Sequence, residues 1–96
     1  MEIVVTRHPA LVDYLVEEGV IPEGTPVIAH AATEDVRGKD VIGVLPLSLA
    51  SLANTVTEVK LDIPAEKRGQ ELSLEEVRAY ARGIVTYEVT VKEVRK

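Results

Sequence analysis

The chain has 96 residues, a length that favours one domain with a limited core, and its 16 Asp and Glu against 11 Lys and Arg leave a net charge of −5 with His neutral. That balance argues against coating duplex nucleic acid by broad phosphate neutralisation, while leaving a local anion site open. There is no cysteine for disulfide or thiolate chemistry, no apolar run near the roughly 18 residues of a membrane span, and no basic region behind Met1-Glu2-Ile3, so a cytoplasmic protein with no membrane partner is expected, one domain over residues 1–96.

Ile3-Val4-Val5 reads as a first strand by its β-branched run, ending at Thr6-Arg7-His8-Pro9. Pro9 lacks an amide hydrogen and suits the first position of a helix. Leu11, Val12, Leu15 and Val16 then recur at helical spacing, and Gly19 is a stop. Pro22, Gly24 and Pro26 mark a turn before a second strand, Val27-Ile28-Ala29-His30. Between Ala31 and Lys39 the chain has room for one helical turn, with Thr33 as its cap. Val41-Ile42-Gly43-Val44-Leu45 is nearly all apolar, as in a central parallel strand covered on both faces. Pro46 opens a short helix over Leu47 to Ala53 that carries Leu49, Leu52 and Ala53 inward.

Thr57 to Ile63 alternates as a fourth strand, and Pro64-Ala65-Glu66-Lys67-Arg68-Gly69 breaks the pattern. Ser73 to Arg82 is predicted helical. Ser73 and Glu76 have capping-box spacing, Leu72 and Val77 can form a hydrophobic staple, and Val77, Tyr80 and Ala81 supply the buried stripe. Gly83 ends it, and Thr86 to Val91 reads as a last strand. Repeated strand–loop–helix order predicts a small three-layer α/β domain with a mainly parallel sheet. In such a domain the loops leaving neighbouring strands gather along one sheet edge. Phe and Trp are absent and Tyr14, Tyr80 and Tyr87 are the only aromatics, so the core is aliphatic and the stacking platforms that bind single strands are missing.

The loops carry the chemistry. Thr6-Arg7-His8 sets a hydroxyl, a guanidinium and an imidazole beside a helix start, where unpaired amides favour phosphate. Arg7 can hold two phosphate oxygens in its fork, and His8 can move a proton near neutral pH. Equally, Thr6 or His8 is an N-cap and Arg7 a surface ion-pair partner. At Gly43-Val44-Leu45-Pro46-Leu47-Ser48, Gly43 allows close backbone approach and Ser48 can donate to phosphate or ribose, or merely satisfy its own helix. This junction is neither a P-loop nor a three-glycine dinucleotide fingerprint. Asp62 can accept from a ribose hydroxyl or an adenine amine and Arg68 can bind phosphate, unless the two simply pair across their turn. Asn54 can meet a polar ligand edge or just end a helix. His8 and His30 are the only histidines, without metal-ligand spacing or clustered carboxylates, so no metal or other cofactor is expected; His30 reads as a strand-end hydrogen-bond residue.

Taken in order, Val5-Thr6-Arg7-His8-Pro9, Val41-Ile42-Gly43-Val44-Leu45-Pro46-Leu47, Leu61-Asp62-Ile63-Pro64, Glu66, Arg68-Gly69 and Glu71-Leu72-Ser73 resemble the small CRISPR-associated accessory proteins of type III systems that are grouped with ring nucleases. The resemblance implies a Rossmann-like domain that forms a homodimer around a cyclic oligoadenylate messenger, cyclic tetra-adenylate above all. It implies cleavage of that ring into linear products, which turns down effectors raised during antiviral defence. Carried onto this chain, Arg7 and His8 become the catalytic candidates. Thr6, Gly43, Leu45, Pro46, Ser48, Asn54, Asp62 and Arg68 become candidate substrate contacts. Ser48 stands where relatives often carry histidine, and this departure gives the alternative, a protein that binds the messenger without cutting it.

Overall fold

The protein's structure, a computed structural model, describes residues 2–95. In chain order it runs β1 (Glu2–Val5), α1 (Pro9–Glu17), β2 (Val27–Ile28), α2 (Thr33–Val36), β3 (Asp40–Gly43), α3 (Leu47–Ala50), β4 (Thr55–Leu61), a 3₁₀ turn (Ala65–Lys67), α4 (Leu74–Tyr80) and β5 (Ala81–Tyr87). The strands form one sheet in the order β2-β1-β3-β4-β5. β1, β2, β3 and β4 are parallel, and β5 closes one edge antiparallel to β4. This is the expected α/β architecture with a mainly parallel sheet.

Alternation along the strands divides the core between the two sheet faces. Val4 and Ile42 pack with Leu15, Ile21 and Val59 beneath α1, while Ile3 and Val41 pack with Val36 of α2 on the opposite face. Leu49, Leu52 and Ala53 close over that second cluster, as their spacing predicts. β3 is the central strand and Val41, Ile42 and Gly43 are all buried, which explains its nearly continuous apolar sequence. Every fully buried side chain among the described residues is hydrophobic.

Local signals set the helix ends. Pro9 is the first residue of α1. At its other end, Val20 N–H reaches the Leu15 carbonyl at 2.9 Å and Gly19 N–H reaches Val16 at 3.1 Å, a Schellman closure that needs the left-handed φ of 73° at Gly19. Ser73 caps α4: its hydroxyl accepts from Glu76 N–H at 3.2 Å, and Glu76 Oε1 accepts from Ser73 N–H at 3.0 Å. α1 and α4 are tied by Arg78, whose Nε donates to Glu17 Oε2 at 2.8 Å while Nη2 donates to Oε1.

Several boundaries differ from the sequence reading. α4 ends at Tyr80 rather than Arg82, because Ala81 pairs with Leu61 and is drawn into the sheet. Gly83 therefore lies inside β5, at a φ of 140°, next to a bulge that leaves Arg82 without a partner on β4. β5 stops at Tyr87, opposite Val56, because β4 begins at Thr55 and offers nothing for Val89 to Val91 to pair with. β2 covers only Val27–Ile28, and β3 leaves the sheet at Gly43, with Val44 exposed. β4 spans Thr55–Leu61 rather than reaching Ile63, its start set by Thr55 pairing with Asp40. α3 is a single turn over Leu47–Ala50.

Candidate functional site

The topology makes one place special. From β1 the chain passes through α1 to β2 on one side, then through α2 to β3 on the other side of β1. At the carboxyl ends of β1 and β3 the loops diverge to opposite faces, and such a switch point is where open α/β sheets hold ligands. Val5 and Gly43 are register partners there, so the Thr6-Arg7-His8 and Val44-Leu45-Pro46 loops leave the sheet side by side. Gly43 is required by that closeness: at a φ of 145°, a Cβ on it would overlap the Val5 carbonyl oxygen.

The β1 loop is held by its own groups. Thr6 N–H donates to the Ile28 carbonyl at 2.9 Å, and the Thr6 hydroxyl accepts from His8 N–H at 3.1 Å. His8 is the N-cap residue of α1, but its imidazole makes no hydrogen bond to the helix end. Thr6 thus orders the loop, and the His8 side chain stays exposed at its rim. Arg7 turns the other way, its Nη2 lying 3.1 Å from Nδ1 and 3.0 Å from Nε2 of His30. The guanidinium donates to whichever ring nitrogen is unprotonated.

Between the start of α1, the end of β4 and α4 lies a recess of about 340 Å³. Leu11, Leu61, Leu72 and Val77 give it an apolar lining, and Leu72 and Val77 are buried. Arg7, His8, Lys67 and Gln70 also line it. Lys67 stands 3.1 Å from Glu76, whose hydrogen bond and charge hold the ammonium protonated above the usual lysine range. Glu76 is in turn kept below the usual carboxylate range, first by Ser73 N–H and then by Lys67. An apolar lining with an ammonium and an imidazole, bordered by Arg7 whose guanidinium rests on His30, is suited to an anion carried on a flat, weakly polar group.

The other predicted contacts separate from this recess. Gly43 and Leu45 line a second recess of about 240 Å³ on the α3 side, with Val56, Glu58 and Tyr87. The two junctions are neighbours on the edge, yet they open to opposite faces of the sheet. Pro46 is exposed and caps α3 with its carbonyl, which accepts from Ala50 N–H at 2.9 Å. Ser48 borders a groove with Ser51 and residues 89–93, away from Arg7. Asp62 is on the same edge as Arg7, but its carboxylate lies 4.0 Å from Arg82, so the pairing with Arg68 weighed from the sequence is replaced. Arg68 is exposed beside the recess-lining Lys67. Asn54 is not brought to this edge at all. It precedes β4 at the amino end of the sheet, where its amide donates to Asp40 Oδ1 at 2.7 Å and Thr55 Oγ1 donates to the same oxygen at 2.9 Å.

Three residues of the edge are missed by the sequence reading as site residues: His30, Lys67 and Gln70. His30 was readable in principle, since residues following a parallel strand beside β1 must emerge next to the β1 loop. Lys67 and Gln70 lie in an irregular turn whose path depends on packing against α1 and α4.

Among the described residues no three His, Asp or Glu side chains gather as a metal site, and no helix is long and apolar enough to cross a membrane. No curated protein and no solved structure matches the chain. Residues 3–90 match the family model described as "Putative CRISPR-associated protein (Cas_VVA1548)". With nearly the whole sheet and the Arg7 edge inside that match, the chain belongs to this CRISPR-associated family.

Proposed function

We propose that the protein is a ring nuclease that opens cyclic tetra-adenylate by transesterification, without a metal ion, and thereby switches off effectors of type III CRISPR defence. The observation that supports this most is the convergence of Arg7, His8 and Lys67 on one apolar recess beside the switch point of a CRISPR-associated chain. In a cyclic RNA, the 2′ oxygen is already tethered beside the phosphorus it must attack. The protein's task is to align that oxygen with the departing 5′ oxygen and to stabilise charge on the phosphoryl oxygens.

Arg7 supplies the phosphoryl contact and Lys67 a second positive charge. His8 accepts the 2′ proton as the bond from the 2′ oxygen to phosphorus forms. The phosphorus–5′-oxygen bond breaks, the 5′ oxygen leaves as a hydroxyl with a proton from water, and His8 returns its proton to solvent. The product is a linear oligoadenylate with a 2′,3′-cyclic phosphate end. A homodimer suits this reading, because a twofold axis matches a ring of repeating units and lets one protomer supply half of the contacts.

The test is incubation of the full chain with cyclic tri-, tetra- and hexa-adenylate, with and without a chelator, and mass spectrometry of the products. Linear 2′,3′-cyclic phosphate products from the tetra-adenylate ring, unchanged by chelator, are expected. Tight binding of an intact ring would identify a sequestering protein instead, and neither binding nor cleavage would reject both readings.

A further inference from the structure

We infer that the recess between α1, β4 and α4 is an adenine subsite, and that Gln70 is the residue that selects adenine over other purines. The inference rests on the oligoadenylate reading for its ligand, but its geometry stands apart from the cleavage chemistry. A volume of about 340 Å³ lies at the low end of the range for small-ligand pockets, roughly 300–1,000 Å³, so it suits one nucleotide unit rather than a whole ring. Leu11, Leu61 and Ile63, all half-buried on the recess wall, offer an aliphatic slot for a flat base. Lys67 on the same recess offers charge to the phosphate attached to it, and Arg7 borders that recess with its guanidinium on His30.

The turn that carries Gln70 orients its side-chain amide. Gly69 takes a left-handed φ of 82°, and the turn it makes is pinned by Gln70 N–H donating to the Lys67 carbonyl at 3.2 Å. The Gln70 amide nitrogen, Nε2, donates to the Glu66 carbonyl at 3.0 Å. That bond decides which end of the amide is which, because a carbonyl cannot accept from the amide oxygen. The oxygen is therefore left as an acceptor on a recess-lining side chain. Adenine presents a donor, its exocyclic amine, where hypoxanthine and guanine present an acceptor oxygen. Set against the purine 6-position, an acceptor at Gln70 pairs with the adenine amine and meets only lone pairs on the 6-oxo purines.

The experiment is a methyl NMR titration of the full chain with adenosine 5′-monophosphate, inosine 5′-monophosphate and ribose 5-phosphate, repeated with Gln70→Ala. The adenine nucleotide is expected to shift the Leu11, Leu61 and Ile63 methyls and to bind about tenfold more tightly than the inosine nucleotide. Ribose phosphate should leave those methyls in place. Gln70→Ala, at an exposed position, should keep the native amide spectrum and lose the preference to within about twofold. Unmoved methyls, or a preference that survives in Gln70→Ala, would overturn the subsite. Ring cleavage by a chain whose methyls ignore the adenine nucleotide would also overturn it while leaving the nuclease reading intact. Adenine-selective shifts without ring cleavage would uphold the subsite and reject the nuclease.

Discussion

Arg7 and His8 are adjacent in sequence but have different surroundings, and their variants should fail differently. Arg7 leans on the His30 ring while also lining the recess, so on the proposed reading its removal takes charge away from the ligand's phosphate. Arg7→Ala is expected to lower kcat/KM for cyclic tetra-adenylate by about 10²–10³ and to weaken binding of the intact ring. His8 bears no such structural contact: its backbone N–H bonds Thr6, and its imidazole leaves the helix end alone. His8→Ala should therefore keep ring binding close to wild type and lose about 10²–10⁴ in kcat, the usual worth of a positioned acid–base group. Steady-state kinetics with a parallel binding titration separates the two, and full turnover by His8→Ala would remove it from the mechanism.

At the scale of elements, the site depends on how closely two strands approach and on how one short helix begins. Gly43→Ala would force a side chain against the Val5 carbonyl at a φ of 145°. Backbone strain alone is worth about 1–3 kcal/mol, so denaturant melting should show at least that loss, and the Arg7 loop, which leaves β1 just beyond Val5, should be displaced with it. Ser73→Ala removes the hydroxyl that accepts from Glu76 N–H and should cost about 1 kcal/mol in the same measurement. Glu76 is also the partner of Lys67, so loosening this cap loosens a charge on the recess. A Ser73→Ala protein with unchanged stability would show that α4 is held by its packing against α1 alone.

For the molecule as a whole, acid should be the destabilising direction. Glu17 is held below the usual carboxylate range by its hydrogen bonds with Arg78, Asp40 by Asn54 and Thr55, and Glu76 by Ser73 and Lys67. A carboxylate depressed in the folded state adds stability above its unfolded value, about 3.9–4.3, and loses it as pH falls through the depressed folded value. Thermal unfolding between pH 7 and pH 3 is expected to show a flat melting temperature at first and a fall below about pH 4.5. Asn54→Ala should shrink that fall, since the largest cause of the Asp40 depression is then gone. It should leave ring cleavage untouched, because Asn54 lies at the amino end of the sheet, opposite the Arg7 edge.

The sequence alone determined what is local. Pro9 and the Ser73–Glu76 pair mark helix starts, Gly19 marks a stop, and the unbroken apolar run of β3 announces a strand covered on both sides, because caps and periodicity act over a few residues. It also placed Arg7 and His8 at a strand-to-helix junction. Only the tertiary structure decided which residues share a recess. Lys67 and Gln70 join Arg7 because the turn after β4 folds back against α1 and α4, while Gly43 and Leu45 go to the opposite face because the chain reverses direction across β1. The competition between α4 and β5 for Ala81 was likewise settled by β4, whose unpaired edge captures that residue by long-range hydrogen bonds that no local pattern encodes.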